Sequence, residues 1–117
     1  MLEYAYKSSI GSRKINEDSV LAVKNKSNYC FAVCDGLGGH GLGDIASKCV
    51  TDTFAEIFFN EPVSPTYITK AFTSAQAKLT ALQEKMGAVN KMKTTAAVVA
   101  TDSDIIYIGH IGGCNTA

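Results

Sequence analysis

One apolar run, Tyr29-Cys30-Phe31-Ala32-Val33-Cys34, sets the architecture of this chain. Both of its alternating faces are apolar, which is typical of a strand covered on both sides. Residues 19–24 have the pattern of a preceding strand, and Asn25-Lys26-Ser27-Asn28 supplies turn residues between the two. We therefore predict an antiparallel hairpin whose second strand is central in a sheet. A further strand is predicted upstream, over residues 5–9.

Two helices are predicted after the hairpin. Beyond a glycine-rich stretch, apolar residues recur at three- and four-residue steps, which predicts a helix over residues 43–59. In the second helix Ser64 is a suitable cap, Pro65 fits the first turn, and an apolar stripe continues to a terminating Gly87. Each helix presents one apolar face, so both are expected to pack on the sheet.

A second hairpin is predicted near the end of the chain. Residues 95–100 and 105–111 are rich in β-branched side chains and are separated by Thr101-Asp102-Ser103-Asp104. The order strands, helices, strands favours an α+β fold with an antiparallel sheet, since parallel neighbours need a crossover between each pair. Residues 111–117 leave a strand run with nothing after it to pair or cover it, so we expect a fold that is incomplete at the C-terminus.

Composition limits the classes of function. A chain of 117 residues, with 46% hydrophobic and 19% charged residues, fits one globular domain. Its formal net charge is 0, so no overall field attracts nucleic acid or anionic lipid. It has no apolar run long enough to span a membrane and no signal-like start, which predicts a cytoplasmic protein. Its four cysteines form no C-x-x-C pair and are expected to be reduced, buried thiols.

Three carboxylates stand where strands should begin or end. Glu17 and Asp18 open the first strand of the predicted hairpin, and Asp35 closes the second. Antiparallel partners place the start of one strand beside the end of the other, so the three side chains should meet at one sheet edge. Clustered carboxylates repel one another unless a cation neutralises them, and oxygen ligands suit Mg²⁺ or Mn²⁺. Arg13, nearby, has a donor fork suited to a phosphate group. The alternative is that these are ordinary solvated turn and loop residues.

The glycine-rich residues after Asp35 raise a second ligand class, the dinucleotides. Residues 36–41 match G-x-G-x-x-G after a strand and before a helix, as in dinucleotide-binding loops. Asp35 would direct negative charge at a pyrophosphate, and the upstream hairpin is not a βαβ unit, so this reading ranks last. His40 and His110 are too few and too far apart in the chain to indicate zinc.

Three motifs, in order, resemble those of metal-dependent protein serine/threonine phosphatases of the protein phosphatase 2C (PP2C) type, bacterial branch. Gly11-Ser12-Arg13-Lys14-Ile15-Asn16-Glu17-Asp18 is similar to G-x-x-R-x-x-N-E-D, with one residue instead of two between the glycine and the arginine. Asp35-Gly36-Leu37-Gly38-Gly39-His40, continued by Gly43-Asp44-Ile45-Ala46-Ser47, is similar to D-G-M-G-G-H-x-x-G-E-x-A-S. Thr94-Thr95-Ala96 is similar to the family's G-T-T-A strand start, with Lys93 in place of glycine. The resemblance spans essentially the whole chain.

The resemblance implies a fold, a cofactor and a reaction. The fold would be a four-layer α-β-β-α sandwich with antiparallel sheets, of which residues 1–117 are the N-terminal part of a single domain. Asp35 would bridge two Mn²⁺ or Mg²⁺ ions, the Gly36 carbonyl would bind one of them, Glu17 and Asp18 would hold metal-bound waters, and Arg13 would bind the substrate phosphate. The reaction would be hydrolysis of phosphoserine or phosphothreonine in proteins by a metal-activated water.

Departures from the family pattern qualify these expectations. Leu37 stands where some eukaryotic members carry a histidine, and Gly113 and Asn115 replace an aspartate and an arginine. The family's further metal-binding aspartates belong to a region beyond Ala117. We therefore expect weak or no turnover from this chain alone, and self-association through exposed sheet edges. The alternative function is a pseudophosphatase or a phosphoprotein-binding regulatory module.

Overall fold

The computed structural model describes residues 18–37, 41–89 and 91–111. These residues form an antiparallel sheet covered on one face by two helices. The elements are β1 (Asp18–Asn25), β2 (Asn28–Leu37), α1 (Leu42–Asn60), α2 (Tyr67–Met86), β3 (Lys93–Thr94), β4 (Ala96–Thr101) and β5 (Ile106–Ile111).

The sheet has the strand order β1-β2-β4-β5, and every pair is antiparallel. The central position of β2 and both predicted hairpins are confirmed. The short strand β3 pairs with the last residues of β2, Gly36 and Leu37, and was not predicted. The predicted strand over residues 5–9 lies outside the described residues.

The hydrophobic core lies between the sheet and the helices. Cys30, Ala32 and Cys34 point from β2 into this core, and α1 packs over them. The helix α2 packs mainly on α1, where the rings of Phe54 and Phe72 meet edge to face with centroids 5.5 Å apart. Burial of each large apolar side chain contributes about 1.5–3 kcal/mol, so this layer supplies most of the driving force for folding.

The prediction that β2 is covered on both sides is wrong for the described residues. Both helices lie on one face, and Val33 on the other face is 54% exposed. The apolar alternation identified two apolar faces correctly, but a sequence pattern does not specify what covers each of them. The described residues thus account for two layers of the four that the resemblance implies, an α+β arrangement that is incomplete.

The side of the sheet that neither described helix covers is called the outer face. Side chains alternate along a strand, and residues directly opposite on antiparallel partners lie on the same face. The register pairs Val20 with Val33, Phe31 with Val99, and Val99 with Ile108. By this pairing the outer face consists of Asp18, Val20, Ala22, Lys24, Tyr29, Phe31, Val33, Asp35, Ala97, Val99, Thr101, Ile106, Ile108 and His110.

The predicted helix ends are confirmed except at the start of α2. The amide of Tyr67 donates to the carbonyl of Ser64 at 3.0 Å, and the Ser64 hydroxyl contacts that of Thr66 at 3.1 Å. Ser64 and Pro65 therefore form a turn that precedes the helix, and Thr66 is the N-cap. At the other end Gly87, with φ of 65°, is the left-handed C-cap, as predicted. Neither described helix combines the length and apolarity that a membrane span requires.

The described cysteines are free thiols, as expected. Cys30 and Cys34 are buried and Cys49 is partly buried, whereas Cys114 lies outside the described residues. The sulfur of Cys30 lies 3.5 Å from the hydroxyl of Tyr67, which donates to the carbonyl of Phe54 at 3.1 Å. Burial raises the pKa of the Tyr67 hydroxyl, and the neighbouring Cys30 raises it further. Burial also raises the pKa of the Cys30 thiol.

The buried Tyr67 hydroxyl predicts a loss of stability at alkaline pH. Its pKa in the folded chain lies above the ordinary 10.0, so above that pH the unfolded chain loses this proton first. The free energy of unfolding should hold below pH 10.0 and then fall by up to about 1.4 kcal/mol per pH unit for this one proton. Urea titrations from neutral pH upward, for wild type and Tyr67→Phe, measure this. An equally steep fall in the free energy of unfolding with pH in both proteins would contradict this prediction.

Candidate active site

Asp18 and Asp35 lie directly opposite each other in the register of β1 and β2. Directly opposed residues on antiparallel strands have Cα atoms about 4.5–5.5 Å apart, so the two carboxylates share one place on the outer face. One carboxylate oxygen of each, Oδ1, is shielded from solvent. The expected approach of Asp18 to Asp35 is thus present. Glu17 and Arg13 lie outside the described residues.

Gly36 follows Asp35 within β2 and is buried. The prediction ended the strand at Cys34, but the strand continues to Leu37 because β3 pairs with it, Gly36 lying opposite Thr94. Asp35 and Gly36 are therefore held in extended backbone conformation within the sheet rather than in a loop. A regular strand fixes the positions of its carbonyl oxygens and side chains more firmly than a loop does.

Thr95 holds the backbone of Asp35 from both sides. Its hydroxyl accepts a hydrogen bond from the Asp35 amide at 3.2 Å, and its own amide donates to the Asp35 carbonyl at 3.0 Å. The hydroxyl of the buried Thr94 in turn donates to the Thr95 carbonyl at 2.8 Å. The sequence predicts Thr94 and Thr95 only as the start of a strand and does not indicate this role of Thr95.

The other side of the site is attached to helix α1. The hydroxyl of Ser19, the neighbour of Asp18, lies 2.8 Å from that of Thr51. Thr51 is buried and also contacts the carbonyl of Ser47 at 3.2 Å. This contact fixes the start of β1 against the helix, so that the position of Asp18 depends on tertiary packing. Nothing in the local sequence around Ser19 or Thr51 indicates that these two residues meet.

The donor chemistry of the paired acids suits a divalent cation. Asp18 and Asp35 lie opposite each other across the strand pair, so one cation could contact both carboxylates. Carboxylate and backbone oxygens are the ligands that Mg²⁺ and Mn²⁺ prefer. Across residues 18–37, 41–89 and 91–111, no three His, Cys, Asp or Glu side chains converge as a metal-binding group. The described acids therefore fit part of a metal site and require further ligands.

The reason for ranking dinucleotide binding last is confirmed. The strands that precede the glycine-rich stretch are antiparallel neighbours and not part of a βαβ unit. The glycine-rich stretch ends at Gly41, which has φ of 81° and is the N-cap of α1, while residues 38–40, including His40, lie outside the described residues. His110 pairs with Ala97 on the outer face, at the far edge of the sheet from Asp18.

Comparisons with known proteins agree with this arrangement. A family model described as protein phosphatase 2C matches residues 7–115. The serine/threonine protein phosphatase PstP of Mycobacterium tuberculosis, in strains CDC 1551 / Oshkosh and ATCC 25618 / H37Rv, is 30% identical over 115 residues. That alignment covers 96% of this chain and 22% of PstP.

The fold is likewise similar to solved structures of PstP. The crystal structure of its catalytic domain in complex with two manganese ions matches with a TM-score of 0.74 and 28% identity, over 86% of this chain and 43% of that chain. A second crystal structure of PstP from the same organism also gives a TM-score of 0.74 and is covered to 42%. This chain thus spans about a fifth of full-length PstP and less than half of its catalytic domain. By its motifs, its sheet and these matches, the chain belongs to the protein phosphatase 2C family.

Proposed function

We propose that this chain contributes the acidic half of a metal-dependent active site that hydrolyses phosphoserine and phosphothreonine in proteins. The observation that carries the proposal is the direct pairing of Asp18 with Asp35 at the shared end of β1 and β2. Two acids placed opposite each other, with an oxygen of each carboxylate shielded from solvent, supply oxygen ligands of the kind that a divalent cation prefers. The similarity to a phosphatase crystallised with two manganese ions supports the same reaction class.

The proposed roles follow the family resemblance. Asp35 and the Gly36 carbonyl would hold Mn²⁺ or Mg²⁺ directly, Glu17 and Asp18 would hold it through water, and Arg13 would bind the substrate phosphate. A bound divalent cation would supply a more acidic water and offset negative charge on the phosphoryl group. Thr95 acts as a positioning residue, because its two hydrogen bonds fix the backbone from which the Asp35 side chain projects.

Turnover by these residues alone should be low. The chain spans 43% of the similar catalytic domain, and the described residues contain two of the acids that a binuclear site would need. Affinity for a hard cation follows the charge and number of its ligands, so metal binding should also be weak. The small number of described acids also favours the second candidate, a non-catalytic module that binds phosphoproteins. A cytoplasmic location and a phosphoprotein partner remain parts of the proposal.

Calorimetric titration with Mn²⁺ tests the metal site. We expect a measurable binding heat for wild type and at least a tenfold weaker association for Asp35→Asn, which keeps the shape of the side chain and removes its charge. Asp52→Asn is a matched control, because Asp52 is an exposed acid of α1 that pairs with Lys48 at 3.7 Å. Equal heats for wild type and Asp35→Asn would exclude the metal site.

Hydrolysis of p-nitrophenyl phosphate with Mn²⁺ separates the two candidate functions. A slow rate that Asp35→Asn abolishes supports the phosphatase. Phosphopeptide binding without any metal-dependent hydrolysis supports the binding module instead. A rate typical of a complete family member would contradict the expectation of weak turnover.

A further inference from the structure

Lys93 lies at the same end of the sheet as the two acids. It opens β3 directly opposite Leu37, and the register continues unchanged into β4. Residues directly opposite on antiparallel strands share a face, and Leu37 is two positions from Asp35, so Lys93 and Asp35 both lie on the outer face. Diagonal neighbours of this kind are about 7–8 Å apart, within reach of a long side chain. A cationic side chain therefore starts within reach of the paired carboxylates.

The backbone around Lys93 is held by neighbouring elements. Thr94, the next residue, is buried and pairs with Gly36. The carbonyl of Met92, the preceding residue, accepts a hydrogen bond from the side-chain amide of Gln83, which is buried in α2. Lys93 itself is exposed. Its backbone is thus fixed in the sheet, while its long side chain can turn toward a ligand.

The charge of Lys93 is not used within the described part of the chain. Its ammonium forms no ion pair or hydrogen bond with residues 18–37, 41–89 and 91–111. The family motif has glycine at this position, which carries no charge, so this cation distinguishes the chain from the family pattern. An ammonium is a strong hydrogen-bond donor to phosphate oxygens.

We propose that Lys93 donates a hydrogen bond to the phosphate group of the substrate. This inference rests on the proposed function, in which Asp35 and Gly36 hold a divalent cation and the phosphate lies beside it. A site that acts on proteins must stay open to them at this end of the sheet, whatever covers the rest of the outer face. Lys93 adds a second cationic contact to the one proposed for Arg13.

The charge of Lys93 acts in opposite directions on the two ligands of the site. An ammonium attracts a phosphate dianion and repels a divalent cation held nearby. Removal of the charge should therefore weaken phosphate binding and strengthen metal binding. A residue that only supported the fold would not change these two affinities in opposite directions.

Two binding measurements on the 117-residue chain test the proposal. The first is fluorescence anisotropy with a labelled phosphoserine peptide that has no acidic residue, with Mn²⁺ in excess. Lys93→Gln should weaken this binding about tenfold, through the loss of one charge-assisted hydrogen bond. In Mn²⁺ calorimetry the same variant should bind the metal about twofold more tightly. Lys93→Arg keeps the charge and should resemble wild type in both, and circular dichroism checks that each variant is folded.

Lys24→Gln is the matched control. Lys24 lies on the same outer face but at the far end of β1, six positions from Asp18, or roughly 20 Å at about 3.3 Å per residue. This distance exceeds the roughly 8–10 Å beyond which salt largely screens exposed charges. Both affinities should therefore be unchanged in Lys24→Gln.

Several results would overturn the role of Lys93. Equal peptide binding by wild type and Lys93→Gln would leave Lys93 as an ordinary charge at a strand edge. An equal loss in Lys24→Gln would show an effect of overall charge alone. A loss confined to peptides with an acidic residue beside the phosphoserine would assign the lysine to that residue instead of the phosphate. No binding by wild type at about 1 mM peptide would also overturn it.

Failure of the proposed function gives a different result. Mn²⁺ heats that Asp35→Asn leaves unchanged would reject the metal site, and peptide binding that depends on Lys93 would then support phosphate recognition by a non-catalytic module. Mn²⁺ heats that Asp35→Asn abolishes, together with peptide binding that Lys93→Gln leaves unchanged, would keep the metal site and overturn the phosphate contact.

Discussion

Replacement of Phe54 by alanine should destabilise the fold by about 3–5 kcal/mol. Phe54 is fully buried in α1, and its ring packs edge to face on Phe72 of α2 with centroids 5.5 Å apart. Its backbone carbonyl also accepts the hydrogen bond from Tyr67 that ties α2 to α1. Truncation leaves a cavity between α1 and α2, which the surrounding side chains fill only in part. The free energy of unfolding of a small domain is about 5–15 kcal/mol in total, so this substitution should remove much of it.

Urea unfolding followed by circular dichroism measures the effect. Phe59→Ala provides the control, because this neighbouring ring is 52% exposed and its removal should cost far less. Equal losses for Phe54→Ala and Phe59→Ala would show that the helices are not packed as described.

Addition of one methyl group at Gly109 should destabilise the fold by about 1–3 kcal/mol. Gly109 is the point of β5 on which α2 rests. A Cβ atom there would lie 2.5 Å from Cγ2 of Ile68 and 2.7 Å from Cε2 of Phe72. Both distances are too short for carbon atoms in contact, so α2 would have to move away from the sheet. The backbone at Gly109 is an ordinary strand, and the cost arises from this close approach alone.

Thermal unfolding of Gly109→Ala checks this expectation, and a double-mutant cycle identifies its cause. In an Ile68→Ala background the nearest methyl group is absent, so the added cost of Gly109→Ala should become smaller. Ile108→Ala, at an outward-facing neighbour in β5, should change stability only slightly. A cost for Gly109→Ala that is the same in both backgrounds would exclude the contact with Ile68 as its source.

The sequence was sufficient to place the acidic pair. Asp18 and Asp35 flank strands joined by a short turn, and antiparallel pairing across such a turn brings the start of one strand to the end of the other. The turn sets the register, because a residue of β1 pairs with the residue of β2 that lies the same number of positions from the turn. Chain connectivity alone therefore predicted that Asp18 and Asp35, the described acids of the candidate site, lie opposite each other.

The supports of the site could not be predicted in this way. Thr95 lies 60 positions from Asp35 along the chain, and Ser19 lies 32 positions from Thr51. Their contacts depend on how β3 and β4 pair with β2 and on how α1 lies across the sheet. No local sequence pattern predicts contacts between residues that are so far apart in the chain. A polar side chain next to a predicted site residue is nevertheless a reasonable candidate for a supporting contact.

By itself, the sequence determined the elements, their antiparallel order and the family, since hydrophobic periodicity, turn residues and motif spacing are properties of nearby residues. Only the tertiary structure decided which face of the sheet the helices cover. The side chains of β2 are apolar on both faces, so periodicity is symmetric between them, and the choice depends on how the helices pack against the sheet. Helix α1 covers Cys30 and Cys34, and Val33 stays exposed beside the carboxylates of the candidate site.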